Sequence, residues 1–207
     1  MKNNFSTKLF FAICMALIPF FSSCNKDSEN NGNAKGNGEC YVDGKSIRYQ
    51  YAYISKGSDN EYTIYLSSED MLALTSQSTA DHSIFLEDVS IYLRTANGEL
   101  PNGTYRFTRQ PQENSWNQLE ICGYYWFNAW EEEPDDITGD REEYYYSMSN
   151  NNADSSITIN LSGNQLKIEI AKANVFRDED GSDGVQTPET VTHDATLLYN
   201  GEVLVMN

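Results

Sequence analysis

From residue 40 to the end of the chain, apolar side chains recur at every second position. Ile47, Tyr49, Tyr51 and Tyr53 alternate with Arg48, Gln50 and Ala52, and Tyr62, Ile64 and Leu66 alternate with Thr63 and Tyr65. The same rhythm returns in Ile157, Ile159 and Leu161, and again in Leu166, Ile168 and Ile170, with Lys167 and Glu169 between them. Side chains of a strand point alternately to opposite faces, so a period of two makes one face dry and the other wet. That is the pattern of antiparallel sheet.

The connections agree with this reading. Asp43-Gly44, Gly163-Asn164 and Asn200-Gly201 are hairpin dipeptides that take positive φ at low cost, and Pro101-Asn102-Gly103 predicts a turn ahead of Tyr105 and Phe107. Between Ile84 and Leu93 the apolar parity slips, from even positions (Ile84, Leu86) to odd ones (Val89, Ile91, Leu93). One extra residue near Glu87-Asp88, a β-bulge, would produce such a slip. The one helical candidate is Ser68 to Ser76, capped by Ser67 or Ser68. About nine to eleven short strands with no βαβ alternation predict an all-β domain over 39–207, an antiparallel sandwich or small barrel of mostly meander connectivity.

Charge narrows the partners. The 31 Asp and Glu against 14 Lys and Arg give a net charge of −17 in 207 residues. Polyanions such as nucleic acid are repelled by such a surface. The acidity is not that of a disordered tail, because aromatic and β-branched residues run through the whole length.

The first 23 residues read as a secretory signal outside the fold. Lys2 and Lys8 precede an uncharged apolar run from Leu9 to Phe21, too short for the ~18 residues that span a bilayer. The run ends in Phe21-Ser22-Ser23-Cys24, which resembles the lipobox of bacterial lipoproteins, with Phe21 where Leu is usual. Behind it, Lys26-Asp27-Ser28-Glu29 resembles the export signal of Bacteroidota lipoproteins carried to the outer face of the outer membrane. The resemblance implies lipidation of Cys24, membrane attachment through that lipid, and surface exposure. Residues 24–38, rich in Asn and Gly, then read as the lipidated Cys and a flexible tether. The strand order, with Leu100-Pro101-Asn102-Gly103-Thr104-Tyr105 at its middle and Tyr199-Asn200-Gly201 at its end, loosely resembles small Bacteroidota lipoproteins of calycin-like or sandwich fold.

With Cys14 in the signal and Cys24 lipidated, Cys40 and Cys122 remain. In an exported domain they either bridge, which in the chain-entropy model contributes about 4 kcal/mol, or stay as separate buried thiols.

Three segments carry the candidate chemistry. Tyr124-Tyr125-Trp126-Phe127-Asn128-Ala129-Trp130 has large rings on both faces of a strand, so it is either core or a stacking platform for a sugar or another flat ligand. Tyr124, Trp126 and Trp130 would form that platform, joined by Tyr145 from Tyr144-Tyr145-Tyr146. Between them, Glu131 to Glu143 is an acidic stretch, solvated or recognising a basic or hydroxyl-rich partner. Asp178-Glu179-Asp180-Gly181-Ser182-Asp183-Gly184 offers Asp178, Asp180 and Asp183 as oxygen ligands for Ca²⁺. It is not an EF-hand, because Asp183 stands where that loop needs Gly and Pro188 precedes Glu189.

No G-x-S-x-G, H-E-x-x-H or phosphate-binding Gly loop occurs, and His82 and His193 stand alone. The reading is therefore a non-catalytic, outer-membrane-anchored binding module serving glycan or other nutrient capture. The alternative is a structural or interaction lipoprotein of the envelope that meets a protein and holds no small ligand.

Overall fold

A computed structural model describes residues 35–76, 83–127, 141–148, 152–178 and 191–206. The strands are β1 (Gly36–Val42), β2 (Lys45–Tyr49), β3 (Tyr51–Lys56), β4 (Glu61–Ser67), β5 (Ser83–Arg94) and β6 (Gly103–Phe107). They continue with β7 (Ser115–Phe127), β8 (Arg141–Met148), β9 (Ser156–Ser162), β10 (Gln165–Asp178), β11 (Thr192–Glu202) and β12 (Leu204–Met206). One short helix, α1 (Met71–Ser76), lies between β4 and β5. The domain is all-β, and sequence neighbours pair in most of the sheet, as the meander reading expects.

All twelve strands belong to one hydrogen-bonded sheet, whose end strands β12 and β2 continue in the chain from β11 and into β3. β2 runs through Gln50 into β3, and β11 runs through Val203 into β12. Because β12 pairs with β3, pairing passes from β3 through β4, β5, β7, β8 and β10 to β11 and returns. Closure of this kind removes exposed sheet edges, which is how a barrel avoids edge-to-edge association. β6 and β9 fill the space between β7 and β10 at the end away from β8.

The alternating residues supply the interior. Ile47, Ile64, Leu66, Ile157, Ile159, Leu166, Ile168 and Ile170 all enter one core, with Trp116 its largest fully buried side chain. Burying a side chain of this size contributes roughly 1.5–3 kcal/mol. That core is what fixes the register of the wet face.

Five local expectations are corrected by the tertiary structure. Tyr49 faces the core but Tyr51 and Tyr53 do not share its side: at Gln50 the strand bends, and Ala52 and Ile54 turn inward instead. No bulge lies at Glu87-Asp88: pairing to β7 runs unbroken through both residues, and the ladder with β4 ends at Asp88 without a shift. The shifts fall between Tyr92 and Leu93 against β7, between Gly123 and Tyr124 against β8, and between Ile170 and Ala173 in β10. The parity slip instead marks a change of buried face, since Leu86 packs in a second cluster while Val89, Ile91 and Leu93 pack in the barrel core.

Asn200-Gly201 is not a hairpin but lies within β11, facing Asn37 and Gly36 of β1. Close approach explains the glycine: a Cβ on Gly201 would lie 2.1 Å from Gly36 Cα. Helix α1 is capped by Asp70, not by Ser67 or Ser68. Asp70 Oδ1 accepts the Leu72 and Ala73 N–H groups, each at 3.2 Å, while Ser67 closes β4. Finally, β1 begins at Gly36, inside the stretch read as tether.

Candidate functional site

Strand register gathers the functional candidates onto the outer face of the barrel wall. Ser67, Asp88, Cys122, Tyr145 and Asp178 form one cross-strand row over β4, β5, β7, β8 and β10. The next row on that face holds Tyr65, Ser90, Glu120 and Ser147. Neighbouring strands bring such pairs within side-chain reach, directly or on the diagonal.

Ser67, Asp88, Ser90 and Glu120 are each at most 5% exposed, so two carboxylates and two hydroxyls lie buried side by side. Alongside them, Leu74 of α1 packs with Leu86, Cys122 and Tyr124, with Met71 against the cluster. This second cluster covers the outer face where the barrel core covers the inner one. β5 and β7 are therefore dry on both sides here, which is why their sequences lose the simple alternation.

Asp88 is the electrostatic centre of the patch. Its Oδ2 accepts the Tyr124 hydroxyl at 2.8 Å, while Oδ1 is buried with no hydrogen-bond partner among the described residues. Burial pushes the carboxyl from its ordinary 3.8 up to about 6, held back in part by the Tyr124 and Ser67 hydroxyls. Glu120, diagonal to it, accepts from the Tyr92 hydroxyl at 3.3 Å and from Gln118 Nε2.

A second polar group stands where β1, β8 and β11 meet. His193 Nδ1 lies 3.0 Å from Asp43 Oδ1, the Tyr146 hydroxyl donates to Asp43 Oδ2 at 3.3 Å, and the Tyr146 and His193 rings meet edge to face. His193, which stands alone in the sequence, has a partner in the fold, since the hairpin turn at Asp43 folds back onto it. The structure contains a His–Asp contact that linear spacing hid.

The aromatic candidates divide. Tyr124 is buried and its hydroxyl is committed to Asp88, so it presents no open stacking face and is corrected from platform to packing. Trp126 lies on β7 opposite Ile84, and Tyr145 lies on β8 between Cys122 and Asp178. Asp178 is the last residue of β10. Trp130, Asp180, Asp183 and Cys24 lie outside the described residues. Among the described residues, no group of three or more His, Cys, Asp or Glu side chains is arranged to hold a metal ion.

Cys40 and Cys122 are both buried and form no bridge with each other, as the separate-thiol reading expects. Cys40 points into the barrel core, whereas Cys122 points to the second cluster on the other face of the wall. Burial pushes the Cys40 thiol up to about 12.

Asp88 and Glu120 were not singled out by sequence reasoning. A signal for Asp88 existed in the parity slip around it: a strand that changes its apolar face must bury something polar at the crossover unless it bulges. Nothing comparable marked Glu120. No protein-family model, curated protein or solved structure matches this chain.

Proposed function

We propose that this chain is a lipoprotein held at the outer membrane through Cys24, and that it acts as a non-catalytic module binding a glycan or another hydroxyl-rich nutrient. The observation that carries the reading is the polarity of the barrel. β1 enters at Gly36, beside Gly201 and next to the Gly163-Asn164 hairpin, and finishes at Val42 beside Ala195. The connections after β7 and β10, which hold the acidic stretches and Trp130, depart from the Val42 end. A lipid at Cys24 reaches the barrel through Gly36, so these connections start from the strand ends remote from the point of attachment. Acid-rich segments are disfavoured beside an anionic lipid surface, which supports the same orientation.

Rings with polar edges beside carboxylates suit a sugar, because stacking buries area while the acids accept hydroxyl protons. The lead residues are Trp126, Trp130 and Tyr145. Titration against a panel of host and dietary oligosaccharides tests the assignment. Trp126→Ala and Trp130→Ala should each weaken the best wild-type binder at least tenfold, and unchanged affinity in both removes the site. Replacing Cys24 by Ser should abolish incorporation of labelled palmitate and release the protein from membranes.

A second reading, an envelope interaction protein whose aromatics serve packing alone, is favoured by one observation, the burial of Tyr124. Acrylamide quenching separates the two. Trp126 and Trp130 freely quenched support the binding module, and full protection supports the packing role.

A further inference from the structure

The strand row beneath α1 contains a charge problem. Asp88 is 5% exposed, its Oδ1 has no partner, and no cation pairs with it among the described residues. The groups facing it are Ser67 from β4, Cys122 and Tyr124 from β7, and Glu120 on the diagonal. Asp70 heads α1, and Tyr145 of β8 lies beyond Cys122. Glu87, next to Asp88 in sequence, is paired with Lys45 at 3.3 Å, so its charge is already met. The charged groups set beside Asp88 on this face, Glu120 and Asp70, are acidic, and Arg94 lies three rows away with its Nε donating to the Asp59 carbonyl. An ionised carboxylate left half-satisfied in a dry site is costly, and hydration or protonation relieves it.

The cover over the site is slight. Helix α1 has six residues, too few to be stable without packing. Leu74, with Met71, provides its contacts to Leu86, Cys122 and Tyr124. Its start is tied by the Tyr53 hydroxyl, which donates to Asp70 Oδ1 at 3.1 Å and meets the Met71 and Leu72 N–H groups. A short element resting on a few apolar contacts opens far more readily than the barrel does.

We propose that α1 is a proton-dependent strap: it lies closed over Leu86, Cys122 and Tyr124 while Asp88 is uncharged, and it lifts to hydrate the carboxylate when Asp88 ionises. The direction follows from the orphaned oxygen, which a proton neutralises and water satisfies. Lifting uncovers the outer face of β5 and β7 next to Trp126, so solution pH would govern access to that wall whether or not a sugar binds there.

Cys122 is a built-in reporter, and Cys40, deep in the other core, is the internal control. The full-length protein is pulse-labelled with iodoacetamide at pH 5 and pH 8, and each cysteine is quantified by peptide mass mapping. Asp88→Asn run at the same pH cancels the intrinsic rise in thiolate. The wild-type to Asp88→Asn ratio of Cys122 labelling should be near one at pH 5 and about tenfold or more at pH 8, with a ceiling of about a hundredfold set by a two-unit displacement. Tyr53→Phe should raise Cys122 labelling at both pH values while leaving Cys40 protected.

Amide exchange of wild type provides a readout that survives failure of any variant to fold. The Leu72, Ala73 and Leu74 amides, bonded to Asp70, should lose protection between pH 5 and pH 8 beyond the intrinsic base-catalysed increase. A Cys122 ratio of one at both pH values, or exchange that follows the intrinsic slope alone, overturns the strap.

Discussion

Asp88 should make this protein less stable as pH rises from about 4 through about 6, the reverse of an ordinary paired carboxylate. Its folded value of about 6 stands above the unfolded 3.8, because burial penalises the charge more than the Tyr124 and Ser67 hydroxyls relieve it. A raised acid binds protons more tightly in the folded state. Its contribution is therefore fully present below the unfolded value and is lost as pH climbs through about 6. The displacement of roughly two units corresponds to about 3 kcal/mol between pH 3 and pH 8, at 1.36 kcal/mol per unit. Asp88→Asn removes the titration while keeping an acceptor for the Tyr124 hydroxyl. Urea denaturation of wild type and variant at pH 4, 6 and 8 isolates this one group from every other acid. The variant should gain only about 0.5 kcal/mol over wild type at pH 4 and about 3 kcal/mol at pH 8. For a domain of this size that is about 6–12 °C in Tm. If α1 lifts at lower cost than the ionisation penalty, the gain at pH 8 falls towards the cost of lifting it, but its sign holds. A difference between the two proteins that is constant with pH, or larger at pH 4, refutes the reasoning.

Further outcomes follow from the same contacts. Asp70→Ala removes the cap of α1 and the acceptor of the Tyr53 hydroxyl, and should cost about 1 kcal/mol in urea denaturation. Gly201→Ala forces a Cβ against the Gly36 backbone inside a paired strand, and should destabilise by about 1–3 kcal/mol in the same assay. Because Cys40 and Cys122 form no bridge, dithiothreitol should leave the Tm unchanged; a fall of several degrees would mean a bridge. Leu74→Ala, which empties the centre of the second cluster, should cost about 2–3 kcal/mol for closing α1 and appear chiefly as faster exchange of its own amides.

Legibility varied along the chain for physical reasons. β9 and β10 were plain, because each has one face in the core and one in water, so Ile157, Ile159, Ile168 and Ile170 declare their side by alternation. Asp43-Gly44 was equally plain, since both residues adopt the positive φ that the dipeptide allows. Around Gln50 the same logic failed. A bend costs one residue of parity and leaves no mark in composition, so alternation places the side chains after it on the wrong face. Asn200-Gly201 failed for another reason: its glycine answers to Gly36 and the Tyr199 ring, both set by strand pairing rather than by local turn chemistry. The aromatic segment showed its size but not its use, since a tyrosine reads alike whether its hydroxyl meets water or a buried carboxylate.

The one-dimensional pattern determined that this chain forms antiparallel sheet, where its hairpins at Asp43-Gly44 and Gly163-Asn164 fall, and that its surface is acidic. Those properties rest on side-chain period and local φ, which neighbours in the chain control. Only the tertiary structure decided that the sheet closes through β3 and β12, that the two thiols lie on opposite faces, and that Asp88 shares a row with Ser67, Cys122, Tyr145 and Asp178. Those depend on register between strands far apart in the chain, which is chosen by how the whole core packs.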